Sequence, residues 1–472
     1  MRKLKVLLMS CLATILMSCS LLGNAAESDG WQSLFDGKTL SGWKQINGSA
    51  KFEVIDGVIV ATADETSKSS YLATELTFGD FIMEFEAKVD SPLNSGVQFR
   101  SVSKTSYKNS DVVGYQLEID PSSRGWTGGI YDKNRGKWLY PLSYNDAGRT
   151  AYEKDEWNKF RIEAIGNVLR TYVNGTATAN LSDNQTSEGF FALEIESTAG
   201  DISKLGNQVS WRNIRVKTQD LDQERWSNGK TIAEVNFIPN ELTEGQIAEG
   251  WELLWDGKTT QGWKGAKLDS FPPIGWEIKD GVLSVLSSGG AESRNGGDIT
   301  TLEEFSDFEL EVDFNITTGA NSGIKYFVDP TLLKGEGSAI GLEFQILDDD
   351  THPDAKKGVA GNRTVGSLYD LIAARNLTEL KRDNKYFNDI GYWNRARVVV
   401  QAGDVQHWLN GIKVVEFNRH SQIFDALVAY SKYSKWQNFG GWEKGPILLQ
   451  DHGDLVHFRS IKIKRLNRVE EK

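Results

Sequence analysis

Hydrophobic and polar residues alternate through most of this chain. The stretch from Phe52 to Val60 alternates on either side of Asp56-Gly57, and the stretch from Trp276 to Val285 does the same around Asp280-Gly281. A period of two is typical of strands with one buried face, and Asp-Gly favours a tight turn between two strands. Both stretches are therefore predicted to be β-hairpins.

Further strand-like runs follow one another at short intervals. In the first half they are residues 81–89, 96–101, 114–120, 160–165, 169–173, 190–196 and 209–216, and the second half has counterparts. Helical periodicity is scarce and is clearest at residues 243–248 and 421–430. Many short strands separated by glycine-rich turns predict an all-β protein built of β-sandwiches.

The two halves of the chain repeat the same markers in the same order. Leu34-Phe35-Asp36-Gly37-Lys38 returns as Leu254-Trp255-Asp256-Gly257-Lys258. Three shorter markers also return: Asn94-Ser95-Gly96 as Asn321-Ser322-Gly323, Trp157-Asn158 as Trp393-Asn394, and Asn174-Gly175 as Asn410-Gly411. Each half is therefore one complete copy of a module.

This repeat predicts the domain organisation. We place a first, divergent β-sandwich at residues 31–218, a linker at residues 219–250 and a second β-sandwich at residues 251–468. Residues 232–238 of the linker could add a strand to either sandwich. The 472 residues are enough for each copy to bury a core of its own.

The N-terminus has the pattern of an export signal. Basic residues precede the apolar run 6–17, which is too short to span a membrane permanently. Residues 16–19 resemble a bacterial lipobox, so we predict a signal peptide at residues 1–18, lipidation of Cys19 and a tether at residues 19–30. The prediction is thus an exported lipoprotein of the cell envelope, periplasmic or anchored in the outer membrane; a simple secretory signal is the alternative. The only cysteines are Cys11 and Cys19, so the rest of the chain has no disulfide or cysteine metal site.

The charge of the chain argues against one class of partner. There are 53 Lys and Arg residues against 65 Asp and Glu residues, and the net charge is −12. Proteins that bind nucleic acid carry basic surfaces that neutralise phosphate. Nucleic acid is therefore not an expected partner.

Polar residues interrupt the apolar strands of the second copy. Alternation in residues 341–347 sends the hydrophobic side chains to the core and leaves Glu343 and Gln345 on the other face. The same rule puts Gln450 and His452 on one face of residues 446–453, and Lys325 is a similar exception in its strand. If these strands share a sheet, the five side chains form one polar patch, which is a common arrangement in binding sites. The alternative is a solvated sheet face with ordinary hydrogen bonds.

The second copy carries a long ordered set of motifs: Leu254-Trp255-Asp256-Gly257-Lys258, Asp307-Phe308-Glu309-Leu310, Asn321-Ser322-Gly323-Ile324, Glu343-Phe344-Gln345-Ile346-Leu347-Asp348, His407-Trp408-Leu409-Asn410-Gly411 and Leu449-Gln450-Asp451-His452-Gly453. This order resembles the 3-keto-disaccharide hydrolase domain family. The resemblance implies two tandem concanavalin-like jelly-roll β-sandwiches and the hydrolysis of 3-keto-glycosides, with an oligosaccharide or glycoside as substrate. It also implies a partner sugar 3-dehydrogenase that makes the ketone.

A ketone at C3 of the sugar explains how the patch could suffice for this chemistry. The ketone acidifies the proton on C2, so a base can remove it, the aglycone can leave from C1, and water can then add. No pair of glycosidase carboxylates is required. His452 is a candidate general base or acid, Glu343 could be the base instead, and Lys325 could stabilise the enolate oxygen. Gln345, Gln450, Tyr369 and Asp348 are predicted to bind substrate.

Other residues have two interpretations. Asp348 and His352 could bind a divalent cation, or they could belong to an ordinary acidic surface loop; no other cofactor is predicted. His407 alternates with apolar residues and is predicted to be a buried core histidine. Aromatic residues divide into predicted core positions, Trp43, Trp157, Trp263 and Trp393, and candidates for sugar stacking, Trp126, Trp138, Tyr140 and Tyr144.

The first copy lacks the lysine and the histidine of the patch. Alignment of the repeats puts Gln98, Gln116, Glu118, Glu194 and Glu196 at the positions of Lys325, Glu343, Gln345, Gln450 and His452. The first copy could bind sugar, use Glu196 as a base or support the second copy. For the whole chain the main alternative to an enzyme is a non-catalytic carbohydrate-binding lipoprotein, since fold does not fix function. A conventional glucanase is disfavoured because no Glu-x-Asp-x-x-Glu signature is present.

Overall fold

A computed structural model describes residues 29–65, 68–103, 112–135, 137–329, 331–332, 337–379 and 384–467. The predicted signal peptide and Cys19 lie outside these residues. In the described part of the chain, no helix is both long and apolar enough to cross a membrane.

The first sandwich is formed by strands β1 to β16: β1 (Gln32–Ser33), β2 (Trp43–Asn47), β3 (Lys51–Ile55), β4 (Val58–Thr62), β5 (Ser70–Thr74), β6 (Phe81–Val89), β7 (Ser95–Ser103), β8 (Val112–Ile119), β9 (Ile130–Asp132), β10 (Lys137–Tyr140), β11 (Asn158–Ile165), β12 (Val168–Val173), β13 (Thr176–Ser182), β14 (Phe190–Ile195), β15 (Gln208–Lys217) and β16 (Val235–Asn236). Its nine-stranded sheet has the order β16-β13-β12-β11-β6-β15-β4-β3, with β1 also paired to β15. Its seven-stranded sheet has the order β10-β9-β8-β7-β14-β5-β2.

The second sandwich repeats this plan with strands β17 to β29: β17 (Trp251–Leu253), β18 (Trp263–Gly265), β19 (Trp276–Lys279), β20 (Val282–Val285), β21 (Ile299–Thr301), β22 (Phe308–Ile316), β23 (Asn321–Asp329), β24 (Ile340–Leu347), β25 (Asn394–Gln401), β26 (Asp404–Leu409), β27 (Ile412–Asn418), β28 (Leu448–Leu449) and β29 (Val456–Arg465). Its eight-stranded sheet has the order β19-β20-β29-β22-β25-β26-β27, with β17 paired to β29. Its five-stranded sheet has the order β18-β21-β28-β23-β24. The prediction of tandem all-β jelly-roll sandwiches is confirmed.

Helices are few and short in the part of the chain that the structure describes. The α-helices are α1 (Leu221–Glu224), α2 (Glu244–Ala248) and α3 (Gln422–Ala429), and 3₁₀ turns occur at Leu142–Tyr144, Gly148–Thr150, Ile202–Lys204, Ser227–Lys230, Pro353–Lys356 and Lys432–Lys435. The two helices predicted from periodicity are α2 and α3. Each begins after a hydroxyl side chain that caps its first turn: Thr243 accepts from Gln246 N, and Ser421 accepts from Phe424 N.

The repeated markers perform the same structural task in both sandwiches. The indole nitrogen of Trp43 donates to the carbonyl of Leu34, and that of Trp263 donates to the carbonyl of Leu254, both at 2.7 Å. Both tryptophans are buried, as predicted. Each bond therefore pins the Leu-x-Asp-Gly-Lys turn to the edge of its own sandwich.

The linker belongs partly to the first sandwich. Strand β16 pairs in parallel with β13, so the strand predicted within residues 232–238 extends the nine-stranded sheet. The linker then continues to the second sandwich, where Asn240 donates through Nδ2 to Gly281 O and accepts from Ser460 N through Oδ1, both at 2.8 Å. The linker thus ties the two sandwiches together.

The aromatic segment after β8 forms the interface between the sandwiches, not an open sugar platform. Trp126 and Tyr140 are fully buried. The ring of Trp126 lies 5.5 Å from that of Tyr386, and Tyr144 lies against Gly411, both in the second sandwich. The expectation that Trp126, Tyr140 and Tyr144 stack on sugar is corrected, because Trp126 and Tyr144 pack against the second sandwich and the Tyr140 hydroxyl donates to Ala233 O of the linker at 2.8 Å. Trp138 is half-buried and lines a cavity of about 250 Å³ with Tyr386 and Asn410, so its role stays a prediction.

Two other tryptophans also depart from the prediction. Trp157 and Trp393 are only half-buried and lie on the outer face of the larger sheet in each sandwich. Arg212 covers the ring of Trp157 at 4.1 Å, and Arg459 covers that of Trp393 at 4.0 Å. Alternation did not distinguish a cation–π pair on a sheet face from a core position.

Gly411 offers a direct test of the interface. It has a φ of +81°, and an added Cβ would lie 2.7 Å from Tyr144 Cε2 and 2.9 Å from Pro141 Cγ. We expect Gly411→Ala to lower the free energy of unfolding by about 1–3 kcal/mol more than Gly175→Ala. Gly175 is the matched control because it has a φ of +82° in the same Asn-Gly turn, and a Cβ there meets nothing within 4 Å. Thermal and urea unfolding of the two variants measure the difference; equal losses would contradict the interface.

Candidate functional site

The five-stranded sheet of the second sandwich brings the predicted polar patch together. Lys325 of β23 is directly opposite Glu343 of β24, and Gly323 is opposite Gln345. On the other side of β23, the backbone N–H of Gln450 donates to Gly323 O at 3.0 Å. The sheet register therefore places all of these side chains on one face.

The patch is the floor of a pocket. The pocket is lined by Glu292, Asn321, Lys325, Ala339, Ile340, Gly341, Glu343, Gln345, Tyr369, Lys432, Tyr433, Lys435, Trp436, Gln450 and His452. Its volume is about 70 Å³, so a bound sugar would also occupy the open groove above it. Six predicted site residues, His452, Glu343, Lys325, Gln345, Gln450 and Tyr369, are among these lining residues.

Gly323 is required for this floor to exist. A Cβ at this position would lie 2.1 Å from Glu343 Oε1 and 2.9 Å from Glu343 Cδ. The first sandwich repeats the arrangement, since a Cβ at Gly96 would lie 2.4 Å from Gln116 Nε2. The Asn-Ser-Gly marker of both copies therefore leaves room for the side chain at the Glu343 position to lie across the neighbouring strand.

Lys325 is held as a buried cation beside Glu343. Its Nζ donates to Asp298 Oδ2 at 3.5 Å and to Ala339 O at 3.3 Å. Burial alone would lower the pKa of Lys325, but the carboxylates of Asp298 and Glu343 outweigh it and raise the pKa above its ordinary value. The pocket floor thus presents a fixed positive charge that could stabilise an oxyanion.

Two amide oxygens in the pocket are available to a ligand. Gln345 Oε1 and Gln450 Oε1 are buried without a hydrogen-bond partner among the described residues. Buried polar atoms in folded proteins are normally hydrogen-bonded, and an exception indicates a missing ligand or water. A sugar hydroxyl is the type of group that would satisfy them.

His452 lies at the edge of the pocket among other titratable groups. Its Nδ1 is 3.9 Å from Asp454 Oδ2, its Nε2 is 4.0 Å from Glu292 Oε2, and its ring centroid is 6.0 Å from that of His352. About a quarter of its side chain is exposed to solvent. A histidine in this position can exchange protons with both substrate and water.

His352, His452 and Asp454 could hold a metal ion, since one ligand atom from each lies within 4.8 Å of the others. Two imidazoles and a carboxylate suit Zn²⁺ and similar transition metals. One condition applies to His352, whose Nδ1 accepts a hydrogen bond from Asp354 N at 3.2 Å. Coordination through Nε2 would move the ring proton to Nδ1 and break that bond.

Asp348, predicted both as a substrate-binding residue and as a metal ligand, is not among the residues that line the pocket. Its Oδ2 accepts from Gly319 N at 2.7 Å and from the Thr351 hydroxyl at 2.5 Å, and its Oδ1 accepts from Asp350 N at 3.1 Å. The carboxylate therefore closes the turn after β24 and does not line the pocket. Asp454 takes the place beside His352 that the prediction gave to Asp348.

Tyr369 lines the pocket with its ring rather than its hydroxyl. The hydroxyl donates to Asp354 Oδ2 at 2.7 Å, and Asp354 is also paired with Arg363 at 2.9 Å. Burial and the bond to Asp354 raise the pKa of Tyr369 far above its ordinary value. Tyr369 is therefore a neutral wall of the pocket and not an acid or base at physiological pH.

His407 is the buried core histidine that the sequence predicted. It is fully buried; its Nδ1 donates to Gly366 O at 3.0 Å, and its Nε2 accepts from the Tyr326 hydroxyl at 2.8 Å. Burial lowers the pKa of His407 to about 4. It is neutral and has no access to the pocket.

In the first sandwich the corresponding amides and acids bind one another. Gln98 donates to Gln116 Oε1, Gln116 donates to Glu118 Oε2 at 3.0 Å, and Asn94 donates to Glu118 Oε1 at 2.8 Å. Burial raises the pKa of Glu118 to about 8. Gln98, Gln116 and Glu118 are thus hydrogen-bonded within the sandwich.

Glu194 and Glu196 of the first sandwich stand at the positions of Gln450 and His452, and their contacts differ from those of the second sandwich. Lys133 donates to Glu194 Oε1 at 2.5 Å, and the Tyr71 hydroxyl donates to the same oxygen at 2.8 Å. Glu196, at the position of His452, is half-exposed and lies 3.8 Å from Lys204. Burial and the neighbouring Glu194 raise the pKa of Glu196.

A larger cavity, about 860 Å³, lies on the outer face of the nine-stranded sheet. Its charged side chains pair with one another: Arg161 with Glu84 at 2.6 Å, and Arg215 with Glu84 at 2.7 Å. It has no histidine and no converging set of polar atoms without partners. We therefore assign the site to the smaller pocket, where the groups that can do chemistry converge.

Several pocket residues had no signal in the sequence pattern. Glu292, Lys432, Lys435 and Trp436 come from irregular segments, where no period indicates a direction. Asp298 directly precedes β21, which the sequence analysis did not name, and is found only through its contact with Lys325. Asn321 could have been identified, since it belongs to a repeated marker.

The chain is similar to one protein family, to a curated enzyme and to solved structures. The sequence pattern described as the 3-keto-alpha-glucoside-1,2-lyase-like domain matches residues 30–217 and again residues 250–464. A 3-keto-disaccharide hydrolase of Bacteroides thetaiotaomicron is 37% identical over 240 residues, covering 47% of this chain and 80% of that protein. A crystal structure from Parabacteroides distasonis, of a protein provisionally assigned to the glycosyl hydrolases, is 29% identical, with a TM-score of 0.42, and covers 48% of this chain and all of that one. A second such structure from the same species is 26% identical, with a TM-score of 0.34, and covers 46% of this chain and 99% of that one.

The raised pKa of Glu118 predicts a pH-dependent stability. Between its ordinary pKa and about 8, the folded chain keeps a proton that the unfolded chain releases, so this group makes stability fall as pH rises through that window. Glu118→Gln removes the effect. We expect the stability of the variant relative to wild type to increase by on the order of 3 kcal/mol from pH 5 to pH 8. Thermal unfolding across pH measures it, with Glu53→Gln, at a half-exposed glutamate, as control. A constant difference would contradict the buried neutral acid.

Proposed function

The chain belongs to the 3-keto-alpha-glucoside-1,2-lyase-like domain family, and from that premise we propose that it hydrolyses 3-keto-glycosides, including 3-keto-disaccharides, in the pocket of the second sandwich. The chain is a glycoside hydrolase. One observation carries the choice of sandwich. Lys325, Glu343 and His452 line one pocket in the second copy, whereas glutamine or glutamate occupies all three positions in the first copy.

The proposed reaction begins with removal of the C2 proton by the Glu343 carboxylate. The electron pair moves onto the C3 ketone oxygen, and the resulting enolate is stabilised by the protonated Lys325. Collapse of the enolate forms the C1–C2 double bond and expels the aglycone from C1, and His452 protonates the departing oxygen. Water then adds to C1, the proton returns to C2, and the products are the 3-keto sugar and the free aglycone.

The positions of the groups support these roles. Glu343 and Lys325 are neighbours on the pocket floor, so a base and an oxyanion-stabilising cation face the same part of a sugar ring. His452 lies at the edge, where a leaving group could exit to solvent. Gln345 Oε1 and Gln450 Oε1 would accept hydrogen bonds from the sugar hydroxyls.

Export and lipidation at Cys19 complete the proposal. An exported enzyme of this type would act on glycosides outside the cytoplasm, and the lipid would hold it at a membrane of the cell envelope. The 3-keto substrate must come from an oxidation at C3 of a glycoside, so a sugar 3-dehydrogenase is the proposed partner. Loss of membrane association in Cys19→Ala would support the anchor.

The test compares a 3-keto-disaccharide with its unoxidised parent, each with and without EDTA, and follows sugar release. We expect cleavage of the keto form alone. Sensitivity to EDTA would show that a metal ion takes part. Binding of both sugars without cleavage of either would favour the alternative, a non-catalytic carbohydrate-binding protein.

Variants test the assignment to the second sandwich. We expect Glu343→Gln and His452→Ala to lower kcat/KM for the keto substrate about 10²- to 10⁴-fold, since each removes a proton-transfer group. The matched controls are Gln116→Ala and Glu196→Ala, which alter the same positions in the first sandwich and should retain the wild-type rate. Circular dichroism confirms that each variant is folded. A folded Glu343→Gln variant with the wild-type rate would refute the mechanism.

A further inference from the structure

One wall of the pocket comes from a segment that the first sandwich lacks. In the second sandwich β27 ends at Asn418 and β28 begins at Leu448. In the first sandwich the matching strands are much closer along the chain, since β13 ends at Ser182 and β14 begins at Phe190. The extra residues, 419–447, contain α3 and the 3₁₀ turn Lys432–Lys435. We refer to them as the insert.

The insert is packed in place and is not a loose loop. The ring of Phe424 stacks on that of Phe417 at 5.5 Å, and the ring of Tyr433 stacks on that of Phe439 at 4.0 Å. Arg419 Nη1 donates to the carbonyls of Gly440, at 2.9 Å, and Trp442, at 2.5 Å. These contacts fix the direction in which the 3₁₀ turn points.

The fixed turn presents two lysines and a tryptophan to the pocket. Lys432 Nζ lies 3.9 Å from the centre of the Tyr369 ring, and Lys435 Nζ lies 4.2 Å from the centre of the Trp436 ring. All four residues line the pocket. Within the described residues, no carboxylate lies within 4.0 Å of Lys435, which is exposed. Lys435 therefore places a positive charge at the edge of the pocket beside the ring of Trp436, an arrangement that suits a negatively charged ligand.

We infer that the insert recognises an anionic group, a carboxylate or a sulfate, on the sugar that is joined to the 3-keto ring. This inference rests on the proposed function of the pocket. Trp436 supplies a flat apolar surface for the face of a sugar ring, and Lys432 and Lys435 supply charged donors for an anion beside it. The pocket floor carries Glu343 and its edge carries Glu292, so the anion would be bound at the insert and kept away from the base.

The first sandwich shows the contrast. Its short β13–β14 connection offers no such wall, and its lysine near the inner face, Lys133, is already paired with Glu194. The described residues of the first sandwich contain no counterpart of the insert, and Lys204 there lies 3.8 Å from Glu196, the acid at the position of His452. The insert is the element that would set substrate class rather than reaction type.

The experiment uses the full chain and three substrates that share the 3-keto-glucosyl unit and differ only in the aglycone: glucose, glucuronate or glucose 6-sulfate. We expect wild type to show a kcat/KM about 5- to 30-fold higher for one or both anionic substrates than for the neutral one. In the double variant Lys432→Met/Lys435→Met, the ratio of anionic to neutral kcat/KM should fall to about one. Added salt should lower the wild-type ratio as well.

Lys444→Met is the matched control, since Lys444 lies in the same insert, pairs with Glu304 and does not line the pocket. It should keep the wild-type ratio. Equal rates on neutral and anionic substrates in wild type, or a preference that survives in the double variant, would overturn the inference. If none of the three substrates is cleaved, the proposed function fails instead. Calorimetry with free glucuronate, glucose 6-sulfate and glucose then decides the inference, and equal binding by wild type and the double variant overturns it.

Discussion

The pocket depends on one buried ion pair, that of Lys325 with Asp298. Burial of a charge costs several kcal/mol unless a partner offsets it, so neither residue could remain ionised in the sheet alone. Asp298 also accepts from Asp451 N through Oδ1 at 2.9 Å, and Asp451 accepts from Gly297 N at 3.1 Å. The pair therefore links β23 to the segment before β21 and to the residues after β28, which lead to His452. The same interaction that keeps a cation on the pocket floor also fixes the positions of its neighbours.

The two copies share one arrangement of strands but differ in which sheet face is covered. Both have a lattice of ion pairs on the outer face of the larger sheet, with Arg212 bound to Glu86 in the first copy and Arg459 near Asp313 in the second. In the second copy the first sandwich and the linker cover this lattice, and Lys462 is only 2% exposed. At the matching position of the first copy, Arg215 is 40% exposed and lines the large cavity. On the inner sheets, Gln98, Gln116 and Glu118 of the first copy bind one another, whereas Gln345 Oε1 and Gln450 Oε1 of the second copy have no hydrogen-bond partner among the described residues. In the proposed function the second sandwich presents the site and the first sandwich supports it.

Much of this arrangement could be predicted from local pattern, because a strand has only two faces. Alternation was sufficient to place Glu343, Gln345, Gln450 and Lys325 on one side, and sheet register then brought them together. Alternation says nothing about irregular segments, so Lys432 and Trp436 were not found. It also could not separate a carboxylate that closes a turn, such as Asp348, from one that faces a ligand. Trp126 and Tyr144 were misjudged for a related reason, because the residues that cover them, Tyr386 and Gly411, belong to the second sandwich and lie far along the chain.

The insert shows where specificity could arise without change to the chemistry. The groups of the proposed reaction lie on strands and their immediate ends, where neighbouring backbone bonds hold them rigid. The insert joins two strands at the edge of the pocket and rests on its own aromatic contacts, so its sequence can vary while the register of Lys325 and Glu343 is kept. Gly440 limits that freedom, because a Cβ there would lie 2.7 Å from Phe424 Cζ and 3.1 Å from Leu342 Cδ2 on β24. The insert is therefore free to change at its tip, while its base stays bound to the strand that carries the proposed catalytic base.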